Sequence, residues 1–329
     1  MKKFPASAAA AVIAAAISAL ASASPVSAAE VRIKAYSSMA KNLIYTKVFL
    51  DHFITPANAA GKGLFKIAFL GGPEITPARK SAQALKRGVF DIVYGPAGYY
   101  AGDVPESLAL HGRTLDPATL RKNGAYELLS KIWAERVDAR FMAWGISNLS
   151  YNLFFTEEPK VTNGRLDLTG VKMRASPTYK PRVESLGGIP VRIPAPEMYT
   201  ALKSGIVKGT GWPEIGIAAT GVGKLMKYKV EPSFYATNHI IIFNQTTWSK
   251  LPKKAQDILT KVAMDYEAKS VEIMNKVRAE ENAKLATFGI KTIKLTGAGA
   301  AHFTKSGNDA LWETVAKRSK YTKELRVLL

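Results

Sequence analysis

There is no cysteine anywhere in the 329 residues. Disulfides, thiol nucleophiles and thiolate metal sites are therefore excluded, and the fold rests on its core alone. Histidine is scarce too. His52, His111, His239 and His302 lie far apart, and none has zinc-ligand spacing. No G-x-S-x-G elbow occurs. "GVGK" (221–224) resembles a fragment of a phosphate loop, but Leu225 stands where Ser or Thr is required and the leading glycine is missing. "GAGA" (297–300) is weaker still, and the N-x-S/T triplets at Asn148 and Asn244 are of a kind common by chance. Nothing here equips an enzyme, and no cofactor or metal is expected. Acidic residues are few, 26 against 46 Lys and Arg. Yet the basic residues are scattered singly or in short pairs and never alternate with aromatics, so nucleic acid is not expected as a partner. There is no internal repeat.

What is present begins with a leader. Lys2 and Lys3 precede "AAAAVIAAAISALA" and then the small residues of "SASPVSAAE". A basic start, an apolar stretch and a small-residue end are the parts of an export signal. Cleavage is expected after Ala28 or Ala29. The run is too alanine-rich and serine-interrupted for a spanning helix, and no second span follows. The mature chain is thus predicted to be exported and soluble. Without Lys2 and Lys3 it keeps 44 basic and 26 acidic residues, a net +18. Such a charge draws anionic solutes.

The mature length suits two α/β domains. "VRIKAY" (31–36), "FKIAFL" (65–70) and "FDIVYG" (90–95) read as strands. Helices are expected between them, one from Met39 to about Ala60 and one starting at Pro77 with Thr76 as its cap. That order predicts a parallel sheet whose strand ends line a pocket. A helix near 117–137 and a strand at 140–146 follow. The second half reads as a strand at 151–156, a strand at 170–174, a helix to about Leu186, a strand near 190–193, a helix at 196–205 and a turn-rich segment, "VKGTGWPE" (207–214). "HIIIFN" (239–244) has the apolar run of a fully buried strand. From Pro252 to about Phe288 there is neither proline nor glycine, which predicts one helix of over 30 residues bracing both domains.

"GVKMRASP" (170–177) aims Arg174 from the end of a short strand, just before a proline. A guanidinium is planar, always charged and forked to match a carboxylate. In an exported chain without catalytic equipment, that arrangement suits a receptor for an organic acid.

The same stretch, with "LGGIPVRIPAPEMYTALKSGIVKGTGWP", resembles the signature of the solute-binding subunits of tripartite ATP-independent periplasmic (TRAP) transporters. There a G-x-K-x-R strand precedes E-x-Y-x-A-L-x-x-G and V-D-G. "FLGGPEITPARKSAQALKRGVFDIVYGP" and "TNHIIIFNQTTWSKLPKKAQDIL" extend the likeness over nearly all of the mature chain. The resemblance implies an α/β, two-domain periplasmic binding protein of the Venus-flytrap kind, with a long helix spanning both domains. The expected division is a signal peptide at 1–29, domain I at 30–147 plus 241–282, and domain II at 148–240 plus 283–329. It also implies a membrane permease as partner and a small organic acid anion as solute.

By the resemblance, the carboxylate-binding arginine falls on Arg174, and Trp212, Tyr36, Pro96 and Tyr99 fall at the cleft. His239 opens the return strand near the hinge. The chain departs from the pattern in two ways. V-D-G is Val207-Lys208-Gly209. The crossing strand, where some relatives carry a second arginine, offers only Asn148, Tyr151 and Asn152. Asn152 is taken as its solute contact, and Arg79 as a substitute arginine from the other domain. One arginine among aromatics, Trp144 included, favours a monocarboxylate with an aromatic or apolar body. A C4-dicarboxylate or sugar acid is the alternative solute, and a sensory role, presenting solute to a receptor, the alternative use of the same pocket.

Overall fold

The computed structural model describes residues 30–113 and 115–329. The export signal and its cleavage point lie outside the described residues. The chain begins with the expected alternation. β1 (Val31–Ser37) leads into α1 (Ile44–Phe49), which widens through one π turn (Leu50–Ile54) into α2 (Thr55–Ala60). Pro56 accounts for the widening, because it lacks an N–H and crowds the carbonyl four residues back. β2 (Phe65–Gly71) follows, then a 3-10 turn (Ala78–Lys80) and α3 (Ser81–Lys86). The cap expected at Thr76 is not formed. Pro77 is extended, at φ −53° and ψ 128°, and the Thr76 carbonyl instead accepts the Tyr36 hydroxyl at 2.6 Å.

β3 (Ile92–Pro96) ends in two 3-10 segments, Ala97–Tyr100 and Pro105–Gly112. The single helix expected near 117–137 is two, α4 (Pro117–Leu120) and α5 (Ala125–Val137). Asp116 caps the first by accepting from Ala118 and Thr119 N–H groups at 2.9 and 3.1 Å. Gly124, at φ 92°, starts the second in the left-handed region that glycine adopts freely. β4 (Ala139–Gly145) closes this half.

The second half contains β5 (Ser150–Phe155), a small hairpin of β6 (Lys160–Thr162) and β7 (Arg165–Asp167), and β8 (Lys172–Ala175). Then come α6 (Lys180–Ser185), β9 (Ile189–Arg192), α7 (Met198–Lys203) and β10 (Gly209–Pro213). β10 corrects the turn-rich reading of 207–214. Its glycines serve close approach, not turning. A Cβ on Gly209 would lie 2.4 Å from the Phe154 carbonyl oxygen, and one on Gly211 would lie 2.8 Å from the Tyr179 ring. β11 (Tyr228–Ala236), β12 (His239–Asn244), α8 (Gln245–Lys250), α9 (Lys253–Ala286), β13 (Lys291–Lys294), α10 (Gly297–Ala316) and α11 (Thr322–Leu328) complete the chain.

Two sheets result. The first has the order β2-β1-β3-β12-β4, with β2, β1 and β3 parallel and β12 antiparallel between β3 and β4. The buried run in β12 is as its composition predicts. The second sheet has the order β13-β11-β5-β10-β8-β9. The chain passes between the sheets from β4 to β5 and from β11 to β12. A non-glycine residue is in the left-handed region at each, Ile146 at φ 50° in the first passage and Tyr235 at φ 49° in β11 just before the second. For a β-branched or bulky residue that backbone is costly, and it persists only where the surroundings impose it.

α9 is the long brace, 34 residues or about 51 Å. Midway along it, the Glu267 carboxylate accepts the Trp144 N–H at 2.9 Å and pairs with Arg121 at 2.7 Å. One turn on, Ser270 Oγ accepts the Ile146 N–H at 2.8 Å. Farther along, Glu281 accepts the Ala218 N–H at 3.0 Å, so the same helix grips the second half. The C-terminal tail does not stay with that half. Arg318 donates to the Ala101 and Gly102 carbonyls, both at 2.8 Å, and α11 packs on α5. No helix among the described residues is long and apolar enough to cross a membrane.

Candidate functional site: a cleft closed over a buried arginine

Arg174 lies on β8, one residue before the strand ends. Pro177 lies just beyond the strand, and the chain folds back so that Tyr179 faces Arg174. Arg174 Nη1 donates to the Tyr179 hydroxyl at 2.5 Å and Nε donates to the Ile193 carbonyl at 3.0 Å. The Tyr179 hydroxyl also contacts Thr210 Oγ1 at 3.1 Å, across the β8–β10 pairing. Gly211 leaves room for the Tyr179 ring. The guanidinium is 1 % exposed, and no carboxylate pairs with it among the described residues. Burial opposes its charge. The Tyr179 and Tyr99 hydroxyls around it offset that and hold its pKa above the usual arginine value.

The facing wall comes from the first half. Pro96 ends β3 and Tyr99 follows it, while Met39, Tyr45 and His239 stand beside them. Tyr151, Ser176, Tyr179, Gly211, Trp212 and Pro213 complete the lining around Arg174. The two walls nearly touch, and the space left is about 20 Å³, about the room one water needs. Contacts reach across. The Tyr45 hydroxyl donates to the Ile215 carbonyl. Gly98 approaches Thr178 so closely that a Cβ there would meet its Oγ1 at 2.2 Å. This is the shut form of a cleft. Trp212 is 3 % exposed and its Nε1 has no acceptor among the described residues, while its ring centroid lies 6.0 Å from the Arg174 guanidinium.

Five of the eight residues read from the sequence therefore meet here: Arg174, Trp212, Pro96, Tyr99 and His239. Three do not. Tyr36 belongs to the first core, stacked on Phe90 at 4.7 Å. Asn152 donates to the Val230 carbonyl at 3.1 Å and faces a separate depression beside Glu214, Glu231 and Arg278. Successive strand residues point to opposite faces, so its neighbour Tyr151 reaches the cleft and Asn152 does not. Arg79 is not among the lining residues; its 3-10 turn packs beside Ala97–Tyr100. Trp144 is also a core residue, packed against Phe141 at 5.1 Å. Sequence reasoning missed Tyr45, Met39, Ser176 and Pro213. It also missed Tyr179, although the turn at Pro177 was a signal that the chain returns towards Arg174.

Two buried histidines flank the hinge. His111 Nδ1–H donates to the Ala236 carbonyl at 2.8 Å, and its Nε2 accepts the Gly98 N–H at 3.1 Å. This imidazole is neutral, and burial pushes it down to about 4, the Ala236 bond opposing and the Arg113 charge assisting. His239 Nδ1 lies 3.0 Å from the Tyr94 hydroxyl, which itself donates to the Tyr45 carbonyl. Burial, then the His111 charge, pushes His239 down to about 3. An unfolded chain protonates both near pH 6.5. Their contribution to stability is full above that pH and falls as the solution is acidified, levelling near pH 4 for His111 and pH 3 for His239. The expected slope is up to about 1.4 kcal/mol per pH unit for each. Chemical denaturation between pH 6.5 and 5 measures it. A flat profile, or one that His111→Gln leaves unchanged, contradicts the neutral assignment of His111.

Residues 155–318 match the family described as bacterial extracellular solute-binding protein, family 7. The chain belongs to this family. This family 7 protein is a TRAP-type solute-binding subunit of the extracytoplasmic kind, a receptor and not an enzyme. It is 24 % identical over 295 residues to the C4-dicarboxylate-binding periplasmic protein DctP of Rhodobacter capsulatus, covering 80 % of this chain and 82 % of that one. Its fold is similar to that of a TRAP transporter solute-binding protein from Bordetella bronchiseptica, solved with copurified calcium and picolinate. That match has a TM-score of 0.81 and 18 % identity, over 92 % of each chain. A TRAP solute-binding protein from Roseobacter denitrificans, solved with L-galactonate, matches at a TM-score of 0.76 and 16 % identity. It covers 91 % of this chain and 99 % of that one. The family 7 architecture of two α/β domains and a spanning helix is the one seen here.

Proposed function

We propose that this protein captures a small organic acid by its carboxylate at Arg174 and hands it to a membrane permease. The observation that carries this is the buried guanidinium without a carboxylate partner. A charge taken out of water costs several kcal/mol unless an opposite charge meets it. Two protein groups, the Ile193 carbonyl and the Tyr179 hydroxyl, already orient the fork. A solute carboxylate supplies the missing charge, and it does so best when both walls enclose it. That differential affinity for the closed form is what drives closure.

The body of the solute meets Trp212, Tyr99, Tyr45, Tyr151, Pro96 and Met39. These surfaces favour a monocarboxylate with an aromatic or apolar body, buried by stacking. Trp212 Nε1 adds one donor for a polar atom on that body. The relatives' ligands, a C4-dicarboxylate, picolinate and galactonate, share a carboxylate and little else. A dicarboxylate is the second reading, favoured by Arg79, whose turn packs beside the segment that carries Tyr99.

A thermal-shift series tests the reading on the mature chain. Aromatic acids, 2-oxo acids, dicarboxylates and sugar acids are compared with the amide of each. A ligand at 100 times its Kd adds about 2.7 kcal/mol and raises the midpoint. The expected result is a rise with one class of acids and none with their amides. Amides as effective as the acids would refute a carboxylate anchor.

A further inference from the structure

We propose that the depression between the second sheet and α9 binds a small zwitterion, an α-amino acid with a short apolar side chain. It shares no lining residue with the cleft. Its space is about 330 Å³, and small-molecule sites begin at about 300 Å³. One wall is a face of the sheet. There Asn152 and Phe154 of β5 lie beside Lys229, Glu231 and Ser233 of β11, with Phe154 and Lys229 in register. The other wall is α9, which brings Arg278, Asn282 and Leu285. Their spacing of four and three residues puts them on one side of the helix. Glu214, just after β10, and Pro232 complete the lining.

The charges in this depression balance. Lys229 pairs with Glu231 at 2.8 Å on the strand wall. Arg278 pairs with Glu214 at 3.3 Å, joining the helix to the end of β10. Each carboxylate engages its cation through one oxygen, Glu231 Oε1 and Glu214 Oε2, which leaves the other free to accept. The Ser233 hydroxyl, the Asn282 amide and Asn152 Oδ1 have no hydrogen-bond partner among the described residues. A lone anion would meet two carboxylates here, and a lone cation two basic groups. A molecule with both signs escapes both penalties. Its carboxylate is taken by Lys229 and Arg278 and its ammonium by Glu214 and Glu231, in charge-assisted hydrogen bonds. Phe154, Pro232 and Leu285 are left for an apolar side chain.

The cleft differs in kind, since its lining carries Arg174 and no acidic residue and so selects an anion. The depression also adjoins the first passage between the sheets. Arg278 Nη2 donates to the Asn148 carbonyl at 2.8 Å, and the Glu214 N–H donates to the Ser150 carbonyl at 2.9 Å. An occupant held by Arg278 and Glu214 therefore bears on two residues that fasten this crossing.

The experiment uses the mature full chain and three probes of one shape. These are L-valine, isovalerate, which lacks the ammonium, and isobutylamine, which lacks the carboxylate. Calorimetric titration compares wild type with Glu231→Lys, Ser233→Phe and Arg174→Met. Wild type is expected to bind valine at least about ten-fold tighter than either single-charge probe. Glu231→Lys sets a cation against the ammonium, and Ser233→Phe fills the depression. Each is expected to weaken valine at least about ten-fold, with the melting midpoint of Glu231→Lys unchanged to show that the loss is not unfolding. Arg174→Met is expected to leave valine binding as it was. The site is overturned if wild type does not bind valine or prefers a single-charge probe. It is overturned equally if both depression variants bind valine normally, or if Arg174→Met abolishes binding, which would put valine in the cleft. The reading of Arg174 as the carboxylate anchor stands or falls apart from this, on acids bound in the cleft.

Discussion

Replacing Arg174 with methionine weakens solute capture at least about thirty-fold and costs the solute-free protein little or no stability to heat. Both halves of this expected result follow from one fact. The guanidinium is 1 % exposed and has no carboxylate beside it among the described residues. With solute present, truncating one partner of a buried charge pair costs roughly 2–5 kcal/mol, or a thirty-fold to several-thousand-fold loss of affinity. Without solute the balance reverses. Exchanging buried charge for a well-packed apolar side chain is often stabilising by about 1–4 kcal/mol. Here the gain is reduced by about 1 kcal/mol for each of the bonds lost at Ile193 and Tyr179. Methionine fills much of the space that alanine would leave open. Calorimetric titration and a melting curve on the same sample decide the matter. A variant that binds solute normally, or one that melts many degrees lower, would make Arg174 a structural residue.

The largest effect on stability is expected at Glu267. Its carboxylate is 8 % exposed, pairs with Arg121, and accepts the Trp144 N–H. Burial raises its pKa in spite of Arg121, so the site is costly even when complete. Glu267→Ala strands the Arg121 guanidinium and leaves the Trp144 N–H without an acceptor. The expected loss is about 3–5 kcal/mol, measured by denaturant unfolding. It also loosens α9 from β4 at the place where the chain leaves the first sheet. Replacing both partners, as Arg121→Met with Glu267→Met, should recover most of the loss, because no charge is then left unpaired. A single variant that costs less than about 1 kcal/mol would show that the pair is not what holds the brace.

Much of this molecule can be read residue by residue, and the exceptions are specific. The apolar run in β12 predicts a central strand because a strand buried on both faces needs no polar alternation. The stretch before Phe288 predicts α9 because nothing in it interrupts a helix. Where glycine is used for packing, the same logic misleads. Gly209 and Gly211 look like turn residues but lie in β10, where Phe154 and Tyr179 come too close for a side chain. Gly307 lies inside α10, where a Cβ would meet the Arg182 guanidinium at 2.2 Å. Low helix propensity hid that element, and packing against Arg182 explains it.

The cleft divides in the same way. The place of Arg174 at a strand end, before a proline, was legible in the sequence, while its reading as a carboxylate anchor came from the family resemblance. Which aromatics surround it was not legible. Tyr36 and Trp144 are no less aromatic than Tyr45 and Tyr179, yet the first two fill a core and the last two face the arginine. Local pattern was enough for an α/β chain with a long bracing helix, and for an arginine at the end of a short strand before a proline. Which side chains line the cleft came from the tertiary structure alone. Those contacts join residues from opposite halves of the chain, and they depend on how two sheets come together across a hinge.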